Sequence, residues 1–239
     1  MKIDASGMTF DLLNRAVRAS QDKTCEISGC LGQRFIAAGE SEKEISLYGT
    51  PGNALAAYLN GATIQVYGNA QDAVGDTMND GAVYVHGNVG DAAGYAMRGG
   101  KIFVKGNAGY RAGIHMKEYQ NKVPVLIIGG SAGSFLGEYQ AGGLIVVLGL
   151  ESERPIVGNF PCTGMHGGKM LLRSNGDGIT FPSNVQAQAA SEGDLAPFKP
   201  LLESYCAHFG YDYRQVMDAP FTIITPDSKN PYKQMYVQN

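Results

Sequence analysis

Seven glycines, Gly29, Gly49, Gly68, Gly87, Gly106, Gly130 and Gly149, recur at spacings of 20, 19, 19, 19, 24 and 19 residues, and a near-identical phrase follows most of them. A fixed period near twenty constrains the fold more than any bulk property does. Each unit is too small to bury its own apolar face, so successive units must stack and share one. In register, each glycine is preceded by an alternating strand, at 25–28, 45–48, 64–67, 83–86, 102–105, 126–129 and 145–148, with an eighth at 170–173.

Within these strands Ile45 and Leu47, Ile64 and Val66, Val83 and Val85, Ile102 and Val104, Leu126 and Ile128, Ile145 and Val147, and Met170 and Leu172 share one phase. Period-two alternation sends them to one face, and leaves Ser46, Gln65, Tyr67, Tyr84, His86, Lys101 and Lys105 to face water. Glycine then marks the repeat corners: Gly49, Gly68, Gly75, Gly87, Gly94, Gly106, Gly113, Gly130, Gly137 and Gly149. Gly and Asn accept positive φ, which suits sharp turns. Small residues at one repeat position, such as Gly75, Gly94 and Gly113, also suit a narrow interior where neighbouring repeats nearly touch. A third phase aligns Leu59, Met78, Met97 and Met116, then Gln140 and Met165 after longer gaps.

This pattern predicts an all-β fold: a single-stranded, right-handed parallel β-helix of about seven turns with short helical caps at both termini. Residues 1–22 read as an N-terminal capping segment, with Phe10, Leu13, Ala16 and Val17 on one helical face and Thr9 as N-cap. Residues 23–190 form the β-helix, and residues 191–239 a C-terminal helix and extended aromatic tail. Two segments break the period, 117–124 and 150–161, and loops on a rigid scaffold are where binding concentrates.

A net charge of −3 with dispersed signs offers no basic stripe for nucleic acid, and no apolar run is long enough for a membrane span. We expect a cytoplasmic protein. Cys25, Cys30, Cys162 and Cys206 are scattered and lack C-x-x-C spacing, so they read as free thiols. Neither they nor His86, His115, His166 and His208 form a recognisable triad or metal cluster, so no catalytic, cofactor-binding or metal-ligating residue is assigned. Cys162 and His166 flank a glycine-rich corner that needs only hydrogen bonding. Segment 125–137 (VLIIGGSAGSFLG) imitates a dinucleotide-binding turn, with Glu151 about twenty residues on, but the repeat register accounts for it. Asp72 and Asp91 should stack on one another, a two-step ladder that ends at Tyr110.

The phrases NGATIQVYGNAQDAVGDTMNDG (60–81), GAVYVHGNVGDAAGYAMRGG (81–100), KIFVKGNAGYRAGIHM (101–116) and TGMHGGKM (163–170) strongly resemble the GXGXG family, a likeness running from about residue 8 to 173. In that family such phrases form the C-terminal β-helix domain of the glutamate synthase large subunit. The resemblance implies a noncatalytic scaffold, encoded as a stand-alone chain. It would hold amidotransferase and flavin domains in place while ammonia from glutamine converts 2-oxoglutarate to glutamate. It implies no cofactor on this chain, with FMN and an iron–sulfur cluster on a partner chain. Glutamine amidotransferase and flavin/iron–sulfur synthase subunits would be the partners. The segment MTFDLLNRAVRAS (8–20), with its Leu13-Asn14 pair, leans the same way. The alternative within the family is a protein like the GXGXG-bearing subunit of formylmethanofuran dehydrogenases, molybdenum or tungsten enzymes of one-carbon metabolism. An alternative of another class is an independent β-helix enzyme acting on a polysaccharide, and self-association into a homo-oligomer is a third arrangement.

Overall fold

The computed structural model describes residues 1–150, 152 and 154–227; Glu151, Glu153 and residues 228–239 of the expected tail lie outside the described residues. The strands are β1 (Lys2–Asp4), β2 (Thr24–Leu31), β3 (Glu44–Thr50), β4 (Asn60–Tyr67), β5 (Asp80–Val85) and β6 (Lys101–Val104). They continue as β7 (Val125–Ile128), β8 (Ala141–Val147), β9 (Gly167–Leu172), β10 (Val185–Ala189) and β11 (Thr222–Pro226). The helices are α1 (Phe10–Ala19), α2 (Glu192–Leu195), α3 (Lys199–Phe209) and α4 (Tyr213–Met217).

All eleven strands belong to one sheet, ordered β1 through β9 in sequence and then β11 and β10. Pairing from β1 to β9 is parallel, with like residues opposed: Ile45↔Ile64, Ile64↔Val83, Val83↔Ile102, Ile102↔Leu126, Leu126↔Ile145 and Ile145↔Met170. All of these side chains are buried. The return segments are bonded between repeats as well, through parallel bridges joining Ala70, Val89, Ala108, Ala132 and Val157 in turn.

The turns carry a backbone signature that the sequence hides. Phe35, Ala54, Ala73, Ala92, Arg111, Phe135 and Phe160 occupy equivalent positions, and all have φ between 55 and 62°. Amides in this column donate across to the neighbouring repeat, as Ala73 does to Asp91 O (2.8 Å) and Ala92 to Tyr110 O (2.7 Å). A left-handed conformation costs a non-glycine residue roughly 1–2 kcal/mol, so it persists only where surrounding bonds over-determine it. Two residues on, Gly75, Gly94, Gly113 and Gly137 have φ of 66 to 72°. Crowding, expected at Gly75, Gly94 and Gly113, holds at Gly75 and Gly113 and extends to Gly137: an added Cβ would press on Ile102, Ile145 and Met170 respectively. At Gly94 it would find its nearest neighbour at an ordinary 3.6 Å, so only the dihedral demands glycine there.

The expectation of an all-β, single-stranded right-handed β-helix of about seven turns with helical end caps is corrected by this arrangement. The described strands make one eleven-stranded, mostly parallel sheet with helices against it, an α/β-like architecture in which only the predominance of strand matches the expectation. The sheet does not stop at the eighth repeat strand. β11 returns from about fifty residues downstream to pair antiparallel with β9, as Thr222↔Leu172 and Ile224↔Met170, and with β10 on its other side.

The C-terminal helices also lie on the sheet rather than beyond its end. Phe103, Ile127, Val146 and Leu171 occupy the strand phase expected to face water, yet they are buried in a second core with Ile223 of β11 and Leu202, Tyr205, Cys206 and Phe209 of α3. Tyr205 Oη donates to Val104 O (3.1 Å) inside it. The physical cause is local: from β6 onward both phases of the strands are apolar, and a strand apolar on both faces must be covered on both.

Candidate functional site

An open groove of about 1360 Å³ lies between the loop joining β8 to β9 and the segment that follows β9. Ser131, Ser134, Asn159 and Phe160 form part of one wall, with Arg154, Arg173 and Asn175 also lining it. The loop at 150–161, singled out because it breaks the repeat, therefore borders the groove; the insertion at 117–124 does not. Ser131 Oγ lies 2.6 Å from Ser152 Oγ, which ties the loop to the return segment beneath it. Arg173 donates from Nε to Val216 O (2.7 Å) and from Nη2 to Gln215 O (3.4 Å), so its guanidinium anchors α4. Hydroxyls, amides and an aromatic ring suit the groove to holding a polypeptide or polar segment by hydrogen bonding.

The polar residues of the repeat are directed at backbone. Asn69 Oδ1 accepts the Asn88 amide, Asn88 Oδ1 the Asn107 amide and Asn107 Oδ1 the Ser131 amide, each at 2.8 Å. A second ladder runs parallel: Asn53 Oδ1 accepts from Asp72 N (3.3 Å), Asp72 Oδ1 from Asp91 N (2.9 Å) and Asp91 Oδ1 from Tyr110 N (2.8 Å). The stacked carboxylates thus hold the next repeat's backbone, and the ladder ends, as expected, at Tyr110, whose amide is its last donor. Gly87, Gly106 and Gly130 lie where a Cβ would collide with those asparagine oxygens, so close approach, not positive φ, explains them. At Gly49 and Gly68 an added Cβ would meet the carbonyls of Cys30 and Gly49, while Gly149 (φ 61°) opens the 150–161 loop.

The outer sheet face over β3 to β5, which α3 only reaches at its end, carries a stack of Tyr48, Tyr67 and His86 with ring centroids 4.8 Å apart at each step. His86 Nε2 and His208 Nε2 lie 3.3 and 3.1 Å from the same Gln65 Oε1, and His208 stacks on Tyr84 at 3.9 Å. Burial, and then the nearby Lys105 charge, hold His86 below the usual imidazole range. Burial, His86 and Lys101, in that order, do the same for His208. His115 stacks on Tyr139 at 5.2 Å, and His166 Nδ1 lies 2.9 Å from Gly164 O.

All four cysteines are buried free thiols. Burial pushes Cys162 up to about 12 and Cys30 to about 11. Cys162 Sγ packs 3.5 Å from Met170 Sδ, while His166 turns its ring to the Gly164 carbonyl, so the two flanking residues take separate partners. In the third phase Gln140 is fully buried; its Nε2 donates to the carbonyls of Gly142, Gly143 and Lys169, while Oε1 has no hydrogen-bond partner among the described residues. No three His, Cys, Asp or Glu side chains among the described residues are grouped to hold a metal ion, and no helix among them is long and apolar enough to cross a membrane. The His86–Gln65–His208 contact is invisible to sequence reasoning, since 143 residues separate Gln65 from His208. The apolar second phase from β6 onward is the signal that something covers that face.

The GXGXG motif matches residues 12–226, nearly the whole chain. The chain belongs to the GXGXG motif family. This GXGXG chain is 41% identical to an uncharacterized protein of Methanocaldococcus jannaschii over 248 aligned positions, covering 98% of this chain and 95% of the relative. Among solved structures it resembles a chain of the formyltransferase/hydrolase complex (FhcABCD) from Methylorubrum extorquens, determined in complex with methylofuran. The TM-score is 0.60 at 21% identity, over 85% of this chain and 73% of that one, a likeness of fold.

Proposed function

We propose that this GXGXG chain is a structural subunit of a multi-subunit enzyme complex, a rigid frame whose groove and open sheet face receive partner chains. One observation carries this reading. The polar side chains that the repeat sets in columns, Asn69, Asn88 and Asn107 beside Asn53, Asp72 and Asp91, are spent on the backbone of the next repeat, so they serve to hold the frame.

Within that reading a formyl-handling complex of one-carbon metabolism has the better support, with the chain standing as a counterpart of the GXGXG-bearing subunit of formylmethanofuran dehydrogenases. The support is the fold shared with a component of FhcABCD across most of the chain. A second reading, the scaffold of a split glutamate synthase, is favoured by the Leu13-Asn14 pair. Asn14 Nδ2 donates to Phe10 O (2.8 Å) and to Arg34 O (2.9 Å), so the residue that carries the resemblance also pins α1 to the first repeat. In that case FMN, the iron–sulfur cluster and the amidotransferase belong to partner chains.

Affinity isolation of the tagged chain from its native cell tests both. Recovery of formyltransferase or molybdopterin-bearing chains supports the first reading, and recovery of flavin, iron–sulfur and glutaminase chains supports the second. Isolation without stoichiometric partners, or turnover of a polysaccharide by the purified chain, overturns the proposal of a structural role within a complex.

A further inference from the structure

The two ends of the sheet differ in chemistry. At one end β1 is three residues long and carries Lys2 and Asp4. The adjacent Met1 ammonium lies 2.9 Å from Asp22 and donates to Thr24 O. A short, charged edge strand discourages pairing with other chains. At the other end β10 is five residues long and reads Val-Gln-Ala-Gln-Ala, without charge, proline or glycine, and its last four residues are exposed. Among the described residues it pairs on one side only, with β11, from Val185↔Pro226 to Ala189↔Thr222.

The direction of its free hydrogen-bonding groups follows from the ladder. The Ala190 amide donates to Phe221 O (2.8 Å) and the Asp227 amide to Asn184 O (3.0 Å), which fixes the even-numbered positions as the ones bonded to β11. Antiparallel alternation then turns residues 184, 186, 188 and 190 toward β11, and turns the N–H and C=O of Ala187 and Ala189 outward.

We propose that this edge pairs with the same edge of a second copy of the chain, antiparallel about a two-fold axis through Ala187. In that register Ala187 faces Ala187, Gln186 faces Gln188 and Val185 faces Ala189. The two Ala187 residues exchange both backbone bonds, and each Ala189 amide meets the Val185 carbonyl of the other copy. No like charges are opposed, small alanines let the backbones approach, and the four glutamines line one face where they can pair. The segment is its own complement under a two-fold operation, which an isologous interface requires. The contact is one strand wide, so the dimer is a weak and reversible one. None of this depends on which complex the chain joins.

Sedimentation velocity on the full chain tests it, with a reversible monomer–dimer equilibrium expected in the micromolar range. Ala187→Pro removes only the outward amide, and an edge strand accepts proline where its N–H faces away from the sheet. The dimer dissociation constant should rise by about tenfold or more from the two lost central bonds, while the melting temperature of the monomer holds. Ala187→Lys sets like charges across the axis and should abolish pairing at low salt, and an equimolar mixture with Ala187→Glu should restore it. A native chain that stays monomeric at high micromolar concentration overturns the proposal, as does a dimer indifferent to both substitutions. Dimerisation that appears only after removal of residues 228–239 also overturns it, by assigning the edge to the chain's own terminus.

Discussion

Three substitutions in neighbouring turns separate backbone strain from crowding: Ala92→Gly, Gly94→Ala and Gly113→Ala. Ala92 holds φ at 55° and Gly94 at 72°, so both lie in the left-handed region. Relieving a left-handed alanine returns about 1–2 kcal/mol, against about 0.5–1 kcal/mol lost to the freer unfolded chain. Ala92→Gly should therefore be neutral or stabilising by up to about 1.5 kcal/mol. The same terms reversed make Gly94→Ala neutral to destabilising by up to about 1.5 kcal/mol. No steric addition arises there, because the new Cβ would sit 3.6 Å from Leu126 Cδ2. Gly113 has nearly the same φ, 71°, but there the Cβ would drive into Ile145 Cδ1 and stand 3.1 Å from Met116 Sδ. Overpacking adds about 1–3 kcal/mol, for a total of about 1–4.5 kcal/mol.

Thermal unfolding followed by circular dichroism reads this directly. A chain of this size shifts by about 2–4 °C per kcal/mol, so Gly94→Ala should lower the midpoint by at most about 6 °C and Gly113→Ala by about 2–18 °C, more than Gly94→Ala in the same scan by the overpacking alone. Equal losses at Gly94 and Gly113, or an Ala92→Gly variant as damaged as Gly94→Ala, would refute the division between strain and crowding.

The two histidines on Gln65 give a pH dependence. Both are held below the ordinary imidazole value of 6.5, so the stability they contribute is fully present above it and lost as pH falls through their folded values. Denaturant midpoints should be flat above neutrality and decline below it, with a shallower decline in His208→Gln. Asn88→Ala leaves the Asn107 amide without its side-chain acceptor and should cost about 1 kcal/mol in urea unfolding. Tyr205→Ala removes the largest side chain between α3 and the sheet and should cost about 3–5 kcal/mol, enough to expose the second core to a hydrophobic dye. Cys162, buried and pushed up to about 12, should react with a thiol reagent only on unfolding, at a rate that tracks global opening.

What the sequence made legible was local and periodic. The parallel register of β3 to β9 follows from aligning one apolar phase at a nineteen-residue step, lengthened to 24 before Leu126 and 25 before Met170, and the Asp72–Asp91 ladder follows from the nineteen-residue step. The left-handed column was not legible, because alanine, phenylalanine and arginine stand in it, two residues before the glycines. Those residues hold that conformation through amides donated to the neighbouring repeat, so the cause lies outside their own identity. The asparagine corners misled in the opposite sense. Gly87, Gly106 and Gly130 suggested turns needing positive φ, and their need is for space beneath an asparagine oxygen.

The C-terminal third was hidden by distance rather than by weak signal. Tyr205 reaches Val104 across 101 residues and β11 reaches β9 across about fifty, separations over which no periodicity operates. Yet the demand for those contacts was written in the strands themselves. β4 presents Gln65 and Tyr67 outward, while β6 presents Phe103, β7 Ile127, β8 Val146 and β9 Leu171. A sheet face that passes from polar to apolar along its length specifies where a covering helix must begin. It leaves the polar half free, and α3 ends where His208 meets Gln65, at the border between the two. The half that the described residues leave uncovered, with Tyr48 and Tyr67 exposed among them, is thus a surface with no apolar demand for a helix, and that suits it to the partner chains the scaffold reading requires.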